Sequence, residues 1–296
     1  MKIMYFHTSQ GNFGDELNRW LWPRVIGNCI SGFGHHGDTG SNANNPNDIL
    51  FYGIGTLLDD RIPQQAEKII FGSGCGYGNR LKTIDHARVF FVRGKHTARA
   101  LNLPPEKGLT DPAILLRHFF PVVADQERIH EVSVIPHYSS VKGNFWRQAC
   151  DDLQLNYIDP RSTDIQAVVA EISSSKLIIA EAMHGAIVAD AFRVPWIAIS
   201  SVKETNDFKW CDWCESLGLA YNPVRFAAIY QNSAQKPLKA WLNAIKLRRR
   251  KHQLRQAASS HKTALLSDDR VLSQHLRAMD QHLQELKDHL HKRGLG

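Results

Sequence analysis

Short apolar runs, each closed by a glycine or a polar residue, recur along the first 240 residues. Lys2–His7, Asp48–Ile54, Lys68–Gly72 and Ala87–Val92 read as strands, the last followed by a helix through Thr97–Leu101. A further helix is expected to begin near Asp15. None of these strands alternates cleanly between apolar and polar, as is expected of strands buried on both faces in a parallel sheet flanked by helices. After the polar stretch Asp125–Arg128 the pattern resumes. Val132–Ile135, Leu155–Ile158, Lys176–Ala180 and Pro195–Ile199 read as strands, and Asn144–Asp151, Asp164–Ser173 and Gly185–Phe192 as helices, with Asp164 suited to capping. Strand–helix alternation in both halves predicts an α/β chain of two doubly wound domains, residues 1–128 and 129–232.

Residues 236–258 and 268–292 read as two long helices, which makes 233–296 a helical C-terminal segment. In the last helix Leu272, Leu276, Met279, Leu283, Leu286 and Leu290 form a heptad stripe, suited to docking on the body of the protein or to self-association.

Composition adds a location for the charge. The net charge is +7, yet residues 1–245 hold 24 basic and 24 acidic side chains, while residues 246–296 hold 12 and 5. All of the excess belongs to the tail, and six basic residues fall within Lys246–Arg255. That run is read as a solvated face or as a contact for anionic lipid headgroups; no nucleic-acid-binding motif accompanies it. No apolar run reaches the length of a membrane span and no signal peptide is evident, so a cytoplasmic protein is expected, peripheral on the inner face of the membrane. The five cysteines are odd in number and scattered, which reads as reduced thiols.

Ligands of open α/β sheets sit beyond the carboxyl ends of the strands, and those positions carry the candidate chemistry. The first is followed by Gly11–Asn18 (GNFGDELN), where Gly14 lets the backbone bend and Asn12 and Asp15 suit sugar hydroxyls; Asp15 as a simple helix cap is the alternative. The third is followed by Phe71–Gly78 (FGSGCGYG), centred on Gly74, a turn that reads as a close approach to a ligand or to a partner backbone. The fourth ends in Arg93, able to grip a carboxylate or phosphate or to form a structural ion pair. In the second half His137 follows a strand, and His184 stands at a strand-to-helix turn, where a helix N-terminus favours anions and a histidine can move protons near neutral pH. Lys209 is a further anion contact. Cys211 and Cys214 form a lone C-x-x-C without the second pair that a zinc site needs.

Taken together, Gly11–Asp15, the glycine-rich turn, the strand ending in Arg93, Leu109–Leu116 (LTDPAILL) and above all Met183–Ile199 (MHGAIVADAFRVPWIAI) resemble the polysaccharide pyruvyltransferase family. Many members carry an R-x-H-G pattern; here Ala182 takes the arginine's place, so a cation is expected from Arg93, Lys209 or Arg193. The resemblance implies a GT-B-like fold, two Rossmann-like domains facing a cleft, with residues 1–128 on the acceptor side and 129–232 on the donor side. It also implies phosphoenolpyruvate as donor and a lipid-linked oligosaccharide of exopolysaccharide synthesis as acceptor, with no cofactor or metal. His184 is then the general acid and His137 a second acid or base. Arg93 and Lys209 hold the donor's anionic groups, and Asn12 and Asp15 orient the sugar. The alternatives are a nucleotide-sugar glycosyltransferase on the same architecture and a membrane-associated scaffold built on the basic tail.

Overall fold

The computed structural model describes residues 1–37, 48–79, 81, 83–141, 143–201, 206–226 and 237–295. The chain forms two compact units, each assembled from separate stretches: Met1–Phe120 with Asn206–Ala220 and Ser267–Gly296, and Pro121–Thr205 with Tyr221–Leu266. The C-terminal helices set apart by their periodicity are therefore shared, one to each unit. The boundary expected near residue 232 lies outside the described residues.

The first unit holds β1 (Lys2–Tyr5), α1 (Phe13–Ile26), β2 (Gly32–His35), β3 (Leu50–Tyr52), β4 (Lys68–Phe71), β5 (Ala87–Phe91) and α2 (Lys95–Ala100). Its strands are all parallel, in the order β2-β1-β3-β4-β5. The second unit holds β6 (Ser133–Ile135), α3 (Phe145–Leu153), β7 (Asn156–Tyr157), α4 (Ile165–Ser173), β8 (Ile178–Ala180), α5 (Met183–Ala191) and β9 (Trp196–Ser200). The chain then adds α6 (Asp207–Ser216) to the first unit. It returns to the second with β10 (Val224–Arg225) and α7 (Pro237–Ala258), and ends on the first with α8 (Asp269–Lys292). The second sheet is also wholly parallel, in the order β10-β9-β8-β6-β7. Renumbered within each unit, both orders read 2-1-3-4-5, the doubly wound order whose topological switch falls between the first and third strands.

Every predicted strand is present, most of them trimmed at their ends and the one expected at Pro195–Ile199 shifted by one residue. Burial on both faces explains their unbroken apolar runs. In the first sheet Met4, Tyr52, Ile70 and Val92 fill one face. On the other, Phe51 and Phe71 receive the edge of Trp22 from α1. In the second, Val134, Ile179 and Ile197 pack with Trp146, Cys150 and Leu254. The apparent anomaly Lys68, a buried lysine opening β4, donates to the carbonyls of Pro63 and Gln64 at 2.8 and 3.1 Å. Asp164 caps α4 through the amide of Ala167. The heptad stripe of α8 docks on its own unit: Leu272, Met279, Leu283, Leu286 and Leu290 are buried.

All five cysteines are free thiols, and burial pushes that of Cys150 up to about 12. Among the described residues no helix is long and apolar enough to cross a membrane.

Candidate active site

In the first unit the residues after β1 form a tight entry to α1. The helix starts at Phe13, two residues before the expected Asp15, because Asn12 is its cap: the Asn12 side-chain oxygen accepts the amide of Gly14 at 3.3 Å. The Asn12 amide in turn donates to the carboxylate of Asp15 at 2.5 Å. One turn on, Asn18 is wholly buried and fixes the helix to the end of β3, accepting from Ile54 N and donating to Ile54 O at 3.0 and 2.9 Å. Asn12 and Asp15 remain half-buried at the carboxyl edge, paired to each other.

The glycine-rich turn after β4 has a packing cause that its sequence conceals. A Cβ on Gly74 would lie 2.4 Å from Cζ of Arg93, and one on Gly72, at φ +93°, would lie 2.1 Å from Pro112. The turn is glycine-rich because the Arg93 guanidinium and the Asp111-capped turn at Pro112 press against its backbone. Arg93 itself is fully buried. Its Nε donates to Asp212 at 3.2 Å, Nη1 to the Thr56 hydroxyl at 2.7 Å and Nη2 to the Cys75 carbonyl at 2.8 Å. The open anion grip expected of Arg93 is thus taken up by the protein, and the ion-pair alternative describes its placement. Asp212, equally buried, also accepts the amide of Thr97 at 3.0 Å and its hydroxyl at 2.5 Å. Lys209, one turn earlier on α6, stands at the rim of the turn and donates to the Tyr77 hydroxyl at 3.0 Å.

Farther along the same edge, burial opposes the charge of Asp59. Hydrogen bonds from His36 and Arg61 outweigh it and hold the carboxyl down at about 2.

In the second unit the switch point lies between β6 and β8, and both predicted histidines border it. His137 follows β6; its ring Nδ1 lies 2.8 Å from the Ser139 hydroxyl. His184 stands in the first turn of α5, half-buried. The glycine after it is required by packing, since a Cβ on Gly185 would lie 2.5 Å from Ile135 of β6. Directly after β8, three residues before His184, is Glu181. Its carboxylate is buried and accepts from the His137 amide at 3.0 Å, the Ser140 hydroxyl at 2.5 Å and the Ser201 amide at 2.6 Å. One carboxylate thereby ties together the loops after β6, β8 and β9. From behind, the buried Arg250 of α7 donates to the Ser201 carbonyl at 2.7 Å; burial lowers its pKa while Glu181 acts to raise it. Arg193 lies elsewhere: it precedes β9, at the amino ends of the strands, with Nη1 3.6 Å from Asp190.

The family is decided by residues 12–201, which match the model of the polysaccharide pyruvyl transferases over that whole span. The chain belongs to the polysaccharide pyruvyl transferase family. It is similar to the succinoglycan biosynthesis protein ExoV of Rhizobium meliloti, 39% identical over 228 residues, which are 76% of this chain and 67% of that one. It is also similar to an uncharacterized protein of Acanthamoeba polyphaga mimivirus, 25% identical over 74% of this chain and 76% of that one. By family the chain is thus a polysaccharide pyruvyltransferase.

Its structure groups Asn12, Gly14, Asp15, Gly74, Arg93 and Lys209 on the carboxyl edge of the first sheet or on α6 beside it, and His137 and His184 on that of the second. Glu181, Thr56 and Asp212 were not among the expected site residues. Glu181 had a legible signal, an acidic residue directly ending an apolar strand three positions before His184. Asp212 had none, because its partners lie more than a hundred residues earlier.

Proposed function

We propose that this enzyme transfers the pyruvyl group of phosphoenolpyruvate to two hydroxyls of a sugar in a lipid-linked exopolysaccharide repeat unit, forming a cyclic ketal and releasing inorganic phosphate. The observation that carries the reading is the presentation of two histidines at the topological switch of the second sheet in a chain of this family. A GT-B-like pairing of the two units, with the acceptor on the first and the donor on the second, belongs to the same proposal.

The chemistry sets three demands. The methylene carbon of the donor must gain a proton, the cationic centre so formed must be captured by a sugar hydroxyl, and phosphate must leave before the second hydroxyl closes the ring. No cofactor enters this sequence. We assign the first proton to His184: at the first turn of α5, the positive end of the helix dipole favours the donor's negative charge beside it. His137 accepts the proton that a sugar hydroxyl sheds on attack. Glu181 orients the loop that carries His137 and the backbone at Ser201. Lys209 is the cation offered at the rim of the glycine-rich turn, and Arg93 acts on the site by shaping that turn. Asn12 and Asp15, already exchanging a hydrogen bond, orient the sugar diol.

Removing a general acid costs about 10²–10⁴-fold in rate. His184→Gln is therefore expected to lower kcat of phosphoenolpyruvate-dependent transfer by that factor with the melting temperature unchanged; near-normal turnover would remove His184 from the role. Thermal shift separates the donor classes. Phosphoenolpyruvate at a hundred times its Kd stabilises the native state by about 2.7 kcal/mol, and stabilisation by UDP-glucose alone would overturn the pyruvyl reading in favour of glycosyl transfer.

A further inference from the structure

Helix α7 presents two unlike faces. Its inner face is set by Asn243, Arg250, Leu254 and Ala257, all buried against the second unit. On the outer face Leu238, Trp241 and Ile245 are 69%, 61% and 44% exposed, the large apolar side chains that α7 turns outward. Arg248, Arg249, His252 and Arg255 are exposed as well. At ~100° per residue these seven fall within a sector of about 120°, opposite the buried four. The outer face is thus apolar along its first two turns and cationic along the rest, and α7 contains no acidic residue over its 22 positions. Helix α8 offers the contrast: its leucines are buried, and Asp269, Asp280, Glu285 and Asp288 are spread along it.

We propose that the outer face of α7 lies in the headgroup region of an anionic lipid bilayer, with Trp241, Leu238 and Ile245 inserted at the acyl boundary and Arg248, Arg249 and Arg255 on the headgroup phosphates. This deepens, and rests on, the reading of the acceptor as lipid-linked. Charge complementarity selects the occupant. A helix with one apolar cluster, one cationic cluster and no acid suits a negatively charged surface, and tryptophan is favoured at the boundary between headgroups and acyl chains. The helix lies in the plane of the interface, since no helix among the described residues can cross it. Its inner face has a consequence for the site: through Arg250 it holds the Ser201 backbone, whose amide binds Glu181 between the two histidine loops. Docking α7 therefore brings the carboxyl edge of the second sheet to the surface where a lipid-linked sugar is found.

The test is flotation of the full chain with vesicles of phosphatidylcholine alone or with a third phosphatidylglycerol, together with tryptophan emission. Of the seven tryptophans, Trp22, Trp146, Trp196, Trp210 and Trp213 are buried and Trp20 is half-buried against Phe119 and Phe120, so a blue shift on vesicle addition is expected to come from the exposed Trp241 and to vanish in Trp241→Phe. Binding is expected with the anionic vesicles only. Arg248→Glu with Arg249→Glu and Arg255→Glu should weaken it roughly a hundredfold or more, each basic contact being worth about 1 kcal/mol. Leu238→Ser with Trp241→Ser and Ile245→Ser should leave only weak binding that salt abolishes. Equal affinity for both vesicles, no binding, or concentration-dependent self-association through the same residues in place of binding overturns the proposal. Transfer to a soluble diol acceptor is measured in parallel and is expected to be unchanged in both variants. Its absence from the wild-type protein while vesicle binding persists would sink the functional reading and leave the membrane face standing.

Discussion

The two units share a strand order and differ in what they place beyond it. At the edge of the first sheet, the loops are closed on themselves: Arg93 is buried under Gly74, neutralised by Asp212, and locked to Thr56 and Cys75. At the edge of the second, the buried carboxylate of Glu181 gathers the loops around it. Glu181 accepts from three loop donors, and two histidine rings stand half-buried at the switch point. One scaffold thus supports a rigid backbone wall on one unit and groups able to move protons on the other. The lesson is that a glycine-rich turn and a strand-terminal arginine can be each other's explanation, with no ligand needed to account for either.

The comparison breaks most severely at Asp212. Truncating one partner of a buried ion pair leaves an uncompensated charge, a loss of about 3–5 kcal/mol. Asp212→Ala should shift the urea midpoint of the full chain accordingly. Replacing both partners, as Arg93→Met with Asp212→Leu, should recover much of the loss if the pair is structural. A double variant as unstable as Asp212→Ala would mean that Arg93 does more than balance Asp212.

Glu181→Gln tests the other edge. The amide keeps the shape and one accepting oxygen, but its NH2 faces a group that donated to the carboxylate, a donor against a donor, at a cost of about 1–3 kcal/mol. The expected signature is a fall in kcat of phosphoenolpyruvate-dependent transfer with an altered pH–rate profile, since the loop bearing His137 loses its anchor, while KM changes little. If kcat and its pH profile are unaffected and only the melting temperature falls, Glu181 is a structural residue and the contrast between the units narrows.

How much of this was open to reading from the chain depends on where each cause lies. Strands buried on both faces advertise themselves as apolar runs, so all eight expected ones form; β2, an edge strand of Gly32–His35 with little burial, and the two-residue β10 carry no such signal. The α6 segment reads as a lone C-x-x-C until Cys214, Trp210 and Trp213 are seen buried against the first unit. The sequence places His137, two residues past β6, and His184, in the first turn of the helix after β8, at the carboxyl edge of the sheet, and the same rule would have placed Glu181, directly after β8. Arg93 reads correctly as an ion-pairing residue or as an anion clamp; only the fold, by supplying Asp212 from 119 residues away, distinguishes the two.

The smallest expected effect sharpens how the first unit closes. His275 of α8 donates from Nε2 to the Ser216 carbonyl at the end of α6, at 2.7 Å, and so fastens the last helix to the segment that carries Asp212. Burial lowers its pKa below the ordinary 6.5, with the hydrogen bond to Ser216 opposing; His289, lower on the same helix, is shifted in the same direction by burial and by Arg88. In the window just below pH 6.5 the folded protein therefore binds fewer protons than the unfolded chain. Stability is full above that value and declines as pH falls through the window. The melting temperature of the wild-type protein should drop between pH 7.5 and 5.5. His275→Gln, whose amide can still donate to Ser216 without titrating, should show a shallower decline at the same starting temperature. An unchanged slope would assign the acid sensitivity to His289, and would leave the α8–α6 contact as a plain hydrogen bond with no part in the pH response.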